Sequence, residues 1–181
     1  MRRVCVGICL AAALAACGGG TLTLTEYAAE AEELVSVMEA DFARLDTEWL
    51  SRPPELDRAR DYWDGRLTIR YAFLEAVAEL EPPEAVVDQH QAALDVFGRV
   101  TTADEALAAR VERFEEITDH WQWEDTPEGQ AAEALLEEVF AFCRASQAEY
   151  DATQDRAALQ DVPWIPSEMS EVVSVAFGCP P

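Results

Sequence analysis

Residues 23–50 read TLTEYAAEAEELVSVMEADFARLDTEWL. Within them, apolar side chains fall at Leu24, Ala28, Ala31, Val35, Met38, Phe42, Leu45 and Trp49, with spacings that alternate four and three. Such a seam keeps one helical face against a neighbour for more than three heptads, so it predicts one long helix packed along a bundle. Thr23 precedes Glu26 by three positions, which is the signature of a capping box at the helix start. Ser51-Arg52-Pro53-Pro54 ends it, because proline lacks an amide proton and restricts the residue before it.

Outward from this helix the same period continues. Leu56, Ala59, Trp63, Leu67, Arg70, Leu74 and Val77 predict a second helix from about Pro54 to Leu80, with Tyr62, Ile69 and Phe73 widening its apolar face. Pro82-Pro83 breaks the chain and opens a third helix, whose face is Val86, Val87, His90, Leu94 and Phe97 and which decays at Gly98. Thr102 and Glu105 form another capping-box pattern, so a fourth helix is expected through Leu107, Val111, Phe114, Ile117 and Trp121. After a polar-aromatic loop, Thr126-Pro127-Glu128 supplies an N-cap, a proline at the first helical position and an acid in the first turn. A fifth helix then carries Ala132, Leu135, Leu136, Val139, Phe142 and Cys143. A short last helix is expected from Ser167 to Phe177, with Gly178 as its C-terminal cap. No alternating strand pattern and no internal repeat interrupts this reading. The fold class is therefore all-α: an antiparallel bundle of four to five long helices plus a short C-terminal helix.

Before residue 23 the chain changes character. Arg2-Arg3, the apolar run Val4–Ala13 and the small residues up to Cys17 have the layout of a secretory signal. Leu14-Ala15-Ala16-Cys17 resembles a bacterial lipobox, which implies cleavage before Cys17 and acyl chains attached there. Two or three chains, at about 0.8 kcal/mol per buried CH₂, exceed what stable anchoring needs. Residues 1–16 are thus read as a lipoprotein signal, 17–23 as the lipidated cysteine with its Gly18-Gly19-Gly20 tether, and 24–181 as the bundle. The expected location is the extracytoplasmic face of the cell membrane, with the lipid on Cys17 as the membrane contact.

Charge narrows the partners. The 181 residues hold 36 acids, 13 arginines and no lysine, for a formal net charge of −23. Removal of the signal takes away Arg2 and Arg3 and brings this to −25. Such a polyanion is repelled by nucleic acid and by anionic headgroups, so no nucleic-acid partner is expected and the lipid must hold the domain in place. Of five cysteines, Cys5 and Cys9 leave with the signal and Cys17 carries the lipid. Cys143 and Cys179 remain in an exported compartment, and the economical reading is a disulfide between them. It closes a loop of roughly 35 residues, worth about 3–4 kcal/mol on the chain-entropy model.

Motifs for chemistry are missing. A di-iron bundle needs Glu-x-x-His, yet Val87 stands three before His90 and Ile117 three before His120. No P-loop, nucleophile elbow, haem-attachment or zinc-protease motif occurs, so neither a catalytic residue, a metal nor a cofactor is assigned. His90, on an apolar face, reads first as a packed side chain. His120-Trp121-Gln122-Trp123 is the most unusual stretch: it either closes the end of the core or lines a pocket. His90, His120, Trp121 and Trp123 are the candidate ligand-binding residues.

Leu80-Glu81-Pro82-Pro83 through His90, and Trp164-Ile165-Pro166 through Phe177-Gly178-Cys179, resemble a group of uncharacterised exported helical lipoproteins of high-GC bacteria such as actinobacteria and chloroflexi. The resemblance implies fold and location and brings no activity. The expected function is a non-enzymatic interaction or scaffold module that meets an envelope protein. The alternative is a small-ligand or metal-binding lipoprotein with its pocket near His120, Trp121 and Trp123.

Overall fold

The computed structural model describes residues 22–152. The signal, Cys17, the glycine tether, the expected C-terminal helix and Cys179 lie outside the described residues, so the Cys143–Cys179 pairing does too. Four long helices make up the described chain: α1 Leu24–Leu50, α2 Leu56–Glu79, α3 Val87–Val111 and α4 Pro127–Ala152. Each packs antiparallel against the next in sequence. No described helix is long and apolar enough to cross a membrane.

The heptad seam of α1 faces inward, with Ala28, Ala31, Val35, Met38 and Trp49 buried. Its capping box is complete: the Thr23 amide donates to Glu26 Oε2 at 2.9 Å, and the Glu26 amide donates to Thr23 Oγ1 at 3.2 Å. The Thr23 hydroxyl also donates to Glu26 Oε2, at 2.7 Å, and this bond together with that from the Thr23 amide holds the Glu26 carboxyl pKa below its ordinary value. At the other end Arg58 closes the turn. Its guanidinium donates to the carbonyls of Pro53, Glu48 and Trp49 at 2.6, 2.9 and 2.9 Å, tying the start of α2 to the last turn of α1 and the loop after it.

One boundary differs from the sequence reading. The expected third and fourth helices are a single element, α3, which runs through Gly98 and Thr102 and stops at Val111. Thr101 and Thr102 donate their hydroxyls back to the carbonyls of Phe97 and Gly98, at 2.9 and 3.1 Å. Bonded to the preceding turn, Thr102 cannot act as an N-cap. Phe97, Val100 and Thr101 are buried on both sides of the glycine, and this packing outweighs its helix-breaking tendency. The expected helical path to Trp121 is also corrected: residues 112–121 form turns, followed by a short 3₁₀ turn at Gln122–Asp125. Val87 points outward rather than into the core.

Two glycines make opposite predictions. A Cβ on Gly98 meets nothing within 4 Å, so Gly98→Ala should stabilise the protein by about 0.5–1 kcal/mol. A Cβ on Gly129 falls 2.4 Å from the Trp123 carbonyl oxygen and 2.7 Å from Glu124 Cα, both backbone. Gly129→Ala should therefore destabilise it, by about 1–3 kcal/mol. Urea denaturation of the two variants checks both signs.

The core has two apolar parts. One gathers Tyr27, Val35, Met38, Phe73, Val77, Val86, Phe97, Val100, Val139 and Cys143. The other gathers Trp49, Ala59, Tyr62, Trp63, Leu107, Val111, Ile117 and Trp123. Between them in sequence, on facing helices, lie Arg66 and Arg70 of α2 and Asp104 of α3, which form a charged layer inside the bundle.

Candidate functional site

The core part that holds Trp49 and Trp123 is built around closely packed aromatic rings. Trp123, on the 3₁₀ turn, inserts among Trp49 of α1 and Tyr62 and Trp63 of α2, with ring centroids 5.7, 5.7 and 5.4 Å away. The Tyr62 and Trp123 planes are nearly parallel, at 18°. The sequence brings Trp123 here through the start of α4. Thr126 Oγ1 donates to the Trp123 carbonyl at 2.6 Å and accepts from the Gly129 amide at 3.1 Å, which locks the turn to the helix. Gly129 permits the close approach of the two backbones described above.

His120 fastens the same end from outside. Its Nε2 lies 2.9 Å from the Arg52 carbonyl oxygen, its own carbonyl accepts from Trp49 Nε1 at 3.2 Å, and its ring stands edge-on to Trp49. The loop after α3 is thereby tied to the α1–α2 turn. His90 sits in the other core part, buried, with Nδ1 2.9 Å from the Tyr27 hydroxyl. Burial pushes the Tyr27 hydroxyl up to about 12, so it stays protonated at neutral pH. The two histidines thus serve different regions, and the structure does not bring them into one pocket.

His90 carries a pH signature. Burial pulls its pKa below the ordinary 6.5. The unfolded chain therefore gains this proton before the folded one does. Its contribution to stability is complete above about pH 6.5 and falls as the pH drops towards the lower folded value. The stability gap between wild type and His90→Gln should narrow between pH 7.5 and pH 5.5, as read by urea midpoints. An unchanged gap would exclude this assignment.

Trp121 and Trp123 do share a cavity, of about 460 Å³, within the range of small-molecule pockets. It opens between α2, α3, α4 and the 3₁₀ turn. Trp63, Leu107, Leu135 and Leu136 contribute apolar walls, and Arg66, Arg70 and Asp104 a charged floor. Trp121 is 37% exposed and Leu136 46% exposed, so the rim presents large apolar side chains to solvent. Neither histidine lines it. Among the described residues no group of three or more His, Cys, Asp or Glu side chains could hold a metal ion.

The charged floor lies outside the candidate binding residues that the sequence points to. Arg70 Nε donates to Asp104 Oδ2 at 3.0 Å, and the Asp104 side chain is only 8% exposed. Arg66 stands 4.0 Å from the same carboxylate and 3.9 Å from Asp46, which is partly solvated and accepts from the Tyr62 hydroxyl at 2.7 Å. Both guanidiniums lie over aromatic faces: Arg66 is 4.8 Å from the Phe42 centroid and 5.3 Å from that of Trp63, and Arg70 is 4.7 Å from Phe42. Burial is the main influence pulling Arg70 below its ordinary pKa; Asp104 opposes it and Arg66 adds to it. Arg66 Nε and Trp63 Nε1 are buried without a hydrogen-bond acceptor, at a cost of about 1–3 kcal/mol for each unpaired donor. A signal for this layer is present in the sequence. Arg70 falls on the apolar stripe of α2, and Asp104 is spaced four after Val100 and three before Leu107.

The chain matches no family model, no curated protein and no solved structure.

Proposed function

We propose that the mature chain is a lipid-anchored, extracytoplasmic, non-enzymatic binding module, and that it binds through the groove between α2, α3 and α4. The anchor rests on the lipobox reading of Leu14–Cys17. The binding role rests on one observation: a solvent-open cavity between three helices whose rim leaves Trp121 and Leu136 exposed. The non-enzymatic reading is supported by the groove's chemistry. Its buried carboxylate, Asp104, is already engaged by Arg70 and faced by Arg66. The expected ligand is a small molecule seated in the groove. The second reading, an envelope protein docked on the rim, is favoured by the same two exposed side chains.

A photoreactive amino acid at Leu136, in cells with native membranes, tests this. Val37, 56% exposed on α1 and away from the groove, is the control position. A small added mass at position 136 alone is the expected result; a protein-sized adduct there selects the second reading. Equal labelling at both positions, or none, would overturn the binding role. In the same cells Cys17→Ser should release the chain from the membrane fraction, and its retention would overturn the anchor.

A further inference from the structure

From the charges under the groove we infer its ligand class: a monocarboxylate with an aromatic or compact apolar body. This inference rests on the groove being the binding site.

The floor of the groove is the exception in a strongly acidic chain. Two guanidiniums, Arg66 and Arg70, face one buried carboxylate, Asp104. The other acid within reach, Asp46, has a side chain 40% exposed, so solvent screens it. The two guanidiniums thus share one buried carboxylate and repel each other across it, and Arg66, whose nearest acids stand at 3.9 and 4.0 Å, is the less tightly paired of the two. A carboxylate lying against the Arg66 side chain, which is 20% exposed and lines the cavity, accepts from its guanidinium and offsets its charge. The apolar walls, Trp121, Trp123 and Leu136, then cover the rest of the ligand.

The rim limits the charge of the guest. Glu124 and Glu133 line the opening and are exposed. They disfavour dianions such as phosphate esters more strongly than a single carboxylate, whose charge Arg66 faces on the floor. A cationic guest finds the Trp63 face already covered by Arg66 and is repelled by the two guanidiniums on the floor.

Isothermal titration of the full-length lipoprotein in zwitterionic nanodiscs tests the inference, with empty nanodiscs as the partitioning control. The probes are 1-naphthylacetate, its neutral amide and 2-(1-naphthyl)ethylamine, which share a ring system and differ in charge. The acid is expected to bind at least tenfold more tightly than the amide, and the amine not at all. Arg66→Gln should abolish the preference. Because that variant disturbs a buried layer, Leu136→Glu is the second arm: it places a negative charge at the rim and should weaken the acid at least tenfold relative to Leu136→Gln. Equal binding of acid and amide, tighter binding of the amine, or indifference of the acid to both substitutions overturns the carboxylate assignment and leaves the groove as a site. Binding of none of the three probes overturns the carboxylate assignment as well; labelling at position 136 in the preceding experiment then decides separately whether the groove binds anything.

Discussion

Trp123→Ala should destabilise the protein by about 3–5 kcal/mol, the usual cost of emptying a large aromatic site in a core. Trp123 is only 3% exposed and touches the rings of Trp49, Tyr62, Trp63 and Trp121. It lies on a four-residue turn rather than a helix, so its packing is what holds that turn against α1 and α2. Collapse of neighbours into the space is hindered, because Tyr62 is fixed by Asp46 and Trp49 by the His120 carbonyl. Trp123→Phe keeps part of the stack and should lose less. Urea denaturation followed by far-ultraviolet circular dichroism measures both variants without relying on tryptophan emission. A loss below 1 kcal/mol for Trp123→Ala would show that the turn is held by other contacts.

Asp104→Asn should cost a similar amount, about 3–5 kcal/mol, for a different reason. The substitution barely changes shape. It removes the one buried negative charge beside Arg70, whose side chain is 15% exposed, and leaves two guanidiniums facing each other in the core. Removing one partner of a buried pair is costly because the other stays desolvated, whereas replacing both by apolar groups is often tolerated. The double variant Asp104→Leu with Arg70→Met should therefore recover much of the loss. Denaturation of the two single variants and the double gives the coupling energy directly. Additive losses would mean that Arg70 and Asp104 are not a functional pair in the fold.

These expectations show what was legible beforehand. The heptad seam of α1 and the Thr126-Pro127-Glu128 start of α4 are local signals, in which spacing and capping chemistry suffice, and both elements form as expected. Gly98 and Thr102 misled because their local tendencies were overridden by the burial of Phe97, Val100 and Thr101, a tertiary effect. Trp121 and Trp123 were recognised as unusual and do line one cavity. His90 and His120 were grouped with them on residue type, yet each bonds within its own region: His90 to Tyr27, His120 to Arg52 and Trp49. The charged layer was the least legible part. Arg66, Arg70 and Asp104 come from helices whose register cannot be read from one sequence, and charged residues on a helix usually face water. Only the position of Arg70 and Asp104 on otherwise apolar stripes distinguished them.

Native mass spectrometry of the protein extracted from the cells that make it tests the central claim, that the groove is an occupied binding site, most directly. The account predicts one non-covalent small-molecule adduct that is shed on denaturation and is missing from Leu136→Glu. The same bare mass for both proteins would contradict it.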